Sequence, residues 1–146
     1  MHITVQGVSR LPDPIEQRLP NLLEAVKGEL ADVDTFDATL AEPVVGYGGV
    51  VCDESPKQRF EAIRDATRRG LDRLVSVPEA GGYWPHLAVA YATGQGRIDS
   101  VHRSWFRSLA GLSWRVSTVA FVELRRSPRR YLWDVLAEVS IGRVGY

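Results

Sequence analysis

The order of predicted elements indicates an α+β protein with antiparallel or mixed sheets. Segments with the apolar spacing of helices alternate with short strands, and two long strands around the turn RSPR close the chain as a hairpin. The order β-α-β-β-α-β-α-β-β differs from the regular strand–helix repeat of a doubly wound parallel sheet. A chain of 146 residues has the length of one domain, residues 1–146, or of two small lobes that share a core.

Composition and charge exclude several classes of protein. Hydrophobic residues make up 45% and charged residues 25%, which is ordinary for a folded domain and argues against disorder. Eighteen basic residues balance eighteen acidic ones, so we expect no duplex-DNA binding, although a pocket for one small anion remains compatible. Cys52 is the only cysteine, which excludes an internal disulfide and a cysteine-rich zinc site.

Targeting signals also bear on location. No apolar run approaches the roughly 20 residues that span a membrane, and the sequence does not open with a basic and then apolar leader. We therefore expect no membrane association. A chain with one cysteine and no leader is expected in the reducing cytoplasm.

The first half of the chain is predicted to alternate strands and helices. MHITVQGV alternates polar and apolar residues, as a strand with one solvent face does. Residues 13–30 have helical spacing, with Pro14 in the first turn and Pro20 expected to bend or split the helix. Two strands, joined by a glycine-rich turn, are predicted over residues 35–43 and 49–53.

The second half continues this pattern. A helix is predicted after Ser55, with this serine as its N-cap and Pro56 in its first turn. Its inner face is formed by Phe60, Ile63, Thr67, Leu71 and Leu74. A third amphipathic helix is predicted over residues 98–109. The remaining strands are predicted over residues 86–92, 113–125 and 130–141.

Two of the three histidines begin similar strand segments 84 residues apart. HITVQGV starts at His2 and HLAVAYA starts at His86. Because side chains alternate along a strand, His2, Thr4 and Gln6 share one face, and His86 shares a face with Ala88. The apolar residues between them can then be buried under helices while both histidines line a cleft. Each histidine alone could be an ordinary residue at a strand end, but the matching context favours a shared site.

These segments resemble a known family. HITV is similar to the first signature, His-x-Thr/Ser-x, of the two-histidine phosphoesterase superfamily, and WPHLAVAYATG is similar to the second signature. The segments VSTVAFVELRR and YLWDVLAEVSIG resemble the closing hairpin of its bacterial 2′-5′ RNA ligase-like branch. The resemblance covers nearly the whole chain. It implies a bilobal α+β fold with pseudo-two-fold symmetry, with the histidine-bearing strands side by side in a central cleft.

The resemblance also implies a chemistry. Such proteins need no metal and process 2′,3′-cyclic phosphates, 2′-5′ phosphodiester linkages or related nucleotide esters, so we expect no cofactor and a nucleotide- or RNA-derived phosphate ester as partner. Opening a cyclic phosphodiester needs a base that activates water and an acid that protonates the leaving oxygen. Histidine titrates near neutral pH and can do either.

We therefore expect the imidazoles of His2 and His86 to form an acid–base pair, about 5–8 Å apart. Thr4 would donate a hydrogen bond to a non-bridging phosphate oxygen, where charge grows in the transition state. Trp84 would stack on a base or plug the junction between the lobes. The candidate substrate-binding residues are Thr4, Gln6, Ala88, Trp84 and Tyr83.

One departure from the family pattern concerns the second signature. Position 88 is Ala where the family has Thr or Ser, and the loss of one such donor costs roughly 3 kcal/mol, or about a hundredfold in rate. The enzyme would then be slow, or another group would supply the donor, or the site would serve another ligand. A phosphate-ligand binding protein and a tailoring enzyme on the same scaffold are therefore the alternatives. Candidate replacement donors are Tyr83, Trp84, Ser104 and Arg97.

The other departure concerns the start of the chain. The family normally has a strand and a helix before the first signature, whereas His2 is the second residue of this sequence. A lobe without its leading strand exposes a sheet edge, and such edges tend to pair with another chain. We therefore expect a homodimer or a strand-swapped pair whose contact covers Met1 and His2.

Overall fold

Two helices and seven strands form the described part of the chain. A computed structural model describes residues 2–8, 14–46, 49–78, 81–92, 94–95, 97, 106–127 and 130–142. The helices are α1 (Ile15–Leu30) and α2 (Lys57–Asp72). The strands are β1 (Phe36–Leu40), β2 (Val44–Gly46), β3 (Gly49–Ser55), β4 (His86–Tyr91), β5 (Ser113–Val116), β6 (Thr118–Ser127) and β7 (Arg130–Ser140).

All pairings between these strands are antiparallel, and they form two sheets. In the five-stranded sheet, β3 pairs with β1, β2 and β4, and β1 pairs in turn with β5. The second sheet is the hairpin β6–β7. The α+β class predicted from the sequence is confirmed. Neither described helix has the length and apolar composition to cross a membrane.

The helices pack on each other and on the sheet through an apolar core. From α1, Leu22, Val26 and Leu30 are buried in it, and Phe60 of α2 meets Phe36 of β1 edge-to-face with ring centroids 5.1 Å apart. Aromatic pairs favour this geometry. The stripe predicted for α2 is buried as far as Leu71, whereas Leu74 lies beyond the end of the helix and is exposed.

Two details of the predicted helices differ in the structure. α1 continues through Pro20 and is not split there, because proline removes one helical hydrogen bond while Leu22, Val26 and Leu30, which follow it, are buried in the core. α2 begins after Pro56, which takes the N-cap position without a side-chain cap. Ser55 is instead the last residue of β3, where it pairs with Thr39 of β1.

The predicted strand over residues 113–125 is divided at Ser117. β5 pairs with β1 in the large sheet, whereas β6 leaves that sheet and pairs with β7. The amide of Ile141 donates to the carbonyl oxygen of Ser117 at 2.8 Å, which fixes the point of departure. Of the helix predicted over residues 98–109, residues 98–105 lie outside the described residues, and Arg107–Leu109 forms one 3-10 turn.

The five-stranded sheet has a covered face and an open face. Along β3, Cys52 and Glu54 are buried on the covered face, while Asp53 between them is exposed on the open face. Because Asp53 pairs with His86 of β4, His86 also belongs to the open face. Ala88 lies two residues further along β4, so its side chain is on the open face too.

Candidate active site

A single β-bridge, between Ile3 and Leu87, attaches the N-terminal segment, residues 2–8, to β4 in the described structure. Ile3 and Leu87 both belong to the apolar cluster that contains Cys52, on the covered face of the sheet. Their neighbours therefore point to the open face. In this register His2 lies across from Ala88, and Thr4 lies across from His86.

The same register sets the spacing of the two histidines. His2 and His86 are diagonal neighbours on adjacent antiparallel strands, for which Cα atoms are about 7–8 Å apart. Their electrostatic interaction contributes to the pKa of His2. The structure thus brings His2, Thr4, His86 and Ala88 to one patch, which we call the histidine patch.

His86 is held on two sides by Trp84. Its Nδ1 lies 2.8 Å from the carbonyl oxygen of Trp84. A carbonyl oxygen only accepts hydrogen bonds, so Nδ1 carries a proton and Nε2 is the atom free to exchange one. The indole ring of Trp84 also stacks on the imidazole, with centroids 4.5 Å apart and planes 26° apart.

Asp53 in turn fixes the indole. The Nε1–H of Trp84 donates to Oδ1 of Asp53 at 2.6 Å. Asp53 is the residue of β3 that pairs with His86 of β4, and Trp84, two residues before His86, contacts both of them. The carboxylate thereby restrains Trp84, and Trp84 restrains the imidazole.

His2 is held by a different tryptophan. Its imidazole meets the ring of Trp133, on β7, edge-to-face with centroids 4.0 Å apart. The pKa of His2 is lowered, first by burial, then by the charge of the amino terminus and by His86. A lowered pKa favours the neutral imidazole near pH 7, the form that accepts a proton.

The other predicted substrate contacts divide into two groups. Thr4 is exposed on the histidine patch, and Ala88 contributes only a methyl group there. By contrast, the amide oxygen of Gln6 accepts a hydrogen bond from Arg68 of α2 at 3.1 Å, so this side chain is engaged with the helix. Its role as a substrate contact stays a prediction.

Tyr83 contacts the N-terminal segment through its hydroxyl group. Its hydroxyl donates to the carbonyl oxygen of Thr4 at 3.3 Å, and its ring lies under the guanidinium of Arg64 at 5.0 Å. Burial, and then the nearby Glu54 carboxylate, raise the pKa of Tyr83 to about 12. The hydroxyl therefore keeps its proton and remains a donor across the physiological range.

Glu54 is the unusual buried group beneath the site. Its side chain is 5% exposed, and neither carboxyl oxygen has a hydrogen-bond partner among the residues described. Burial first, and then the charge of Asp53, raise the pKa of Glu54 to about 8. The protonated, neutral form is therefore favoured at neutral pH.

Two residues of this arrangement were not singled out in the sequence as site residues. Asp53 follows the apolar residues 50–52 within β3 and belongs to no motif, and its pairing with His86 is visible only in the structure. Trp133 lies far along the chain, and only the contact with His2 reveals its place.

Other parts of the described structure offer no competing centre. Groups of three or more histidine, cysteine, aspartate or glutamate side chains that could hold a metal ion do not occur among the described residues. An open depression of about 660 Å³ near Asp32, Asp34 and Arg115 contains no predicted site residue.

Comparisons with known proteins agree with the fold. The family model of the 2′-5′ RNA ligase superfamily matches residues 1–128. The crystal structure of TT0787 of Thermus thermophilus is similar to this chain, with a TM-score of 0.74 and 21% sequence identity. The alignment covers 97% of this chain and 78% of that chain. No curated protein matches this chain.

Proposed function

Because the chain belongs to the 2′-5′ RNA ligase superfamily, we propose that it is a metal-independent phosphoesterase acting on a cyclic phosphate or a 2′-5′ phosphodiester of a nucleotide or RNA end. Membership of the superfamily supports a phosphoesterase type of function. The substrate and the roles of the histidines are our proposal.

One observation carries this proposal, the register set by Ile3 and Leu87. It places two imidazoles on one face at a diagonal spacing of about 7–8 Å between Cα atoms. A phosphate group can lie between two rings at that spacing, with one ring on each side of the phosphorus. General acid and general base catalysis then need no further group.

We assign the base to His2 and the acid to His86. The lowered pKa of His2 favours the neutral ring that removes a proton from water. The oxygen of that water bonds to phosphorus, the bond from phosphorus to one ribose oxygen breaks, and Nε2–H of His86 protonates the departing oxygen. The contact between Nδ1 of His86 and the carbonyl oxygen of Trp84 leaves Nε2 as the nitrogen that delivers the proton.

Thr4 is the proposed donor to the phosphate on the His86 side. It lies across from His86 and is exposed, so its hydroxyl is available to a non-bridging oxygen. Hydrogen-bond donors that are already oriented stabilise the charge that develops there. The corresponding position on the His2 side is Ala88, which supplies no donor.

This methyl group is the observation that favours the second candidate function. A protein that binds a phosphate-bearing ligand, or a tailoring enzyme with another substrate, could retain the two histidines without a second hydroxyl. Under the binding alternative, phosphate esters bind to the histidine patch without turnover. Turnover of a non-nucleotide ester alone would favour the tailoring enzyme.

The deciding experiment is a turnover screen with EDTA present. The substrates are 2′,3′-cyclic nucleotides and 2′-5′ dinucleotides, with products separated by chromatography. We expect turnover with a bell-shaped pH profile, because one histidine must be neutral while the other is protonated. Activity that disappears with EDTA and returns with a divalent cation would contradict the mechanism.

Matched variants complete the test. His2→Gln and His86→Gln should each abolish most of the activity, and the double variant should be little worse than either, because both residues act on one transition state. Binding of nucleotide product with no turnover in the native protein would instead support the binding alternative.

A further inference from the structure

The outer half of the β6–β7 hairpin has one apolar and one charged face. Val122 pairs with Val135, and Leu124 pairs with Trp133. Directly paired residues lie on the same side of a sheet, and alternate pairs share that side. These four residues therefore form one surface, which we call the apolar hairpin face: Val122, Leu124, Trp133 and Val135.

The charged residues lie on the other side. Glu123 pairs with Asp134, and Arg125 pairs with Leu132. Arg125 also forms an ion pair with Asp134 on that side. The charged side of the hairpin is therefore suited to contact with water. The apolar hairpin face is exposed as well, with Leu124 56% and Val135 59% accessible.

A bulge in β7 produces this arrangement. Phe121 pairs with Ala137, whereas the next residue, Val122, pairs with Val135, so one residue of β7 is extra. The extra residue moves Val135 and Trp133 to the face opposite the core-facing residues nearer the base of the hairpin. Without the extra residue, regular alternation would place Val135 and Trp133 on the same side of the hairpin as Val139 and Ala137, which is the side that faces the core.

The apolar hairpin face is continuous with the histidine patch, since the Trp133 ring is in contact with the His2 imidazole. We propose that this face is a subsite for the nucleobase of the substrate, on the His2 side of the phosphate. The inference rests on the proposed function and adds where the base binds. Nucleobases stack on aromatic side chains whatever their sequence, and apolar neighbours exclude water from the stack.

The size of the surface favours a nucleobase over a second copy of the chain. The four side chains expose on the order of 300–400 Å², the size of an ordinary functional patch. A stable protein interface needs about 800 Å² from each partner. A single nucleobase covers a much smaller area than a protein partner does, so it matches the area that these four side chains expose.

The test compares Leu124→Ser with Leu132→Ser. Both leucines are exposed on the outer hairpin, 56% and 43%, but they lie on opposite faces, so the second variant is a matched control. Trp133→Ala is the stronger variant on the apolar hairpin face. Calorimetry measures the binding of adenosine 2′-monophosphate, ribose 5-phosphate and adenosine.

We expect the native protein to bind the nucleotide about tenfold or more tightly than ribose 5-phosphate, since one stacked base supplies roughly a five- to hundredfold gain. Leu124→Ser should reduce this ratio several-fold and leave ribose 5-phosphate affinity unchanged. Trp133→Ala, which also removes the contact with His2, should weaken nucleotide binding by a larger factor. Leu132→Ser should preserve the ratio. Equal affinity for both esters, or equal effects of the two leucine variants, would overturn the inference.

Failure of the proposed function is recognised separately. If no cyclic nucleotide or 2′-5′ dinucleotide is turned over and neither phosphate monoester is bound, the phosphoesterase proposal fails. Adenosine binding then tests the subsite by itself. If adenosine binds and Leu124→Ser weakens its binding, the nucleobase subsite is upheld. If adenosine does not bind at millimolar concentration, the nucleobase subsite is overturned. A dimer that Leu124→Ser dissociates and Leu132→Ser does not would assign the face to a second copy and also overturn it.

Discussion

The carbonyl oxygen of Trp84 and the Nδ1 of His86, 2.8 Å apart, fix which nitrogen of His86 exchanges a proton. The two residues are separated by Pro85 alone, so backbone geometry sets the contact locally. The stacked indole then restricts rotation of the imidazole. Together these contacts orient His86 before any substrate arrives.

Trp84→Ala should lower kcat about tenfold or more with little change in KM, because a displaced imidazole transfers its proton less efficiently. Trp84→Phe keeps a stacked ring but loses the bond to Asp53, so its loss should be smaller. Steady-state kinetics provides the measurement, with Trp84→Phe as the comparison. An increased KM with unchanged kcat would show that Trp84 contacts substrate instead, as a base-stacking residue would.

Ala88→Ser should increase turnover of a cyclic phosphodiester roughly tenfold to a hundredfold. Position 88 lies across from His2, so the new hydroxyl would occupy the place that corresponds to Thr4 across from His86. Thr4→Ala is the matched variant and should lower turnover by a similar factor. A fall in activity for Ala88→Ser, with unchanged thermal stability, would mean that the patch requires a small residue for another ligand.

Glu54→Gln should stabilise the protein above pH 8. The folded-state pKa of Glu54 is about 8, above the ordinary 4.5, so the folded protein holds this proton more tightly than the unfolded chain. Stability therefore falls as pH rises from about 4.5 to about 8, and the full cost persists above that. Thermal unfolding at pH 5 and pH 9 should show a gain of roughly 2–4 kcal/mol for the variant at pH 9 only.

The control for this prediction is Glu138→Gln, on an exposed position of β7. It removes the same charge without a burial cost, so its effect on unfolding should be small at both pH values. An equal gain from both variants would attribute the effect to net charge and not to the buried carboxyl.

Gly70→Ala should destabilise the fold by roughly 1–3 kcal/mol. A Cβ at this position would lie 2.8 Å from the Cα of Val26, so the backbones of α1 and α2 would have to separate. Gly28→Ala is the control, because a Cβ there has no neighbour within 4 Å in the described structure and alanine favours a helix interior. Thermal unfolding should show a lower melting temperature for Gly70→Ala and a higher one for Gly28→Ala. If both variants were destabilised, the close approach of the helix backbones would not be the cause.

Sequence periodicity predicted the α+β class, the inner face of α2 and the place of β4 well, because these depend on local alternation and burial. The matching phase of His2 and His86 likewise indicated a shared face. The division at Ser117 was missed because both strands have the same alternating pattern and only their partners differ. The homodimer expected from the sequence stays a prediction that light scattering can check.

Trp133 shows why part of the site was not predictable. Val139, Ala137, Val135 and Trp133 form an unbroken two-residue alternation, which by itself assigns all four to the core side. The extra residue in β7 reverses this phase within the hairpin and brings the indole to His2. Neither the bulge nor its partner register has a local sequence signal.

The attachment of the N-terminal segment has a thermodynamic consequence. His86 belongs to β4, which pairs with β3 along its length. In the described structure, His2 is held by one bridge at Ile3, by its contact with Trp133, by two hydrogen bonds to side chains and by the packing of Ile3 and Val5. Detaching residues 2–8 therefore costs much less free energy than global unfolding, and it separates the two imidazoles while the sheet stays intact. A ligand that contacts both histidines does not bind the detached form, so it should slow the amide exchange that requires detachment by a factor of one plus the ratio of free ligand concentration to Kd. The exchange rate of residues 2–8 then reports the occupancy of the site.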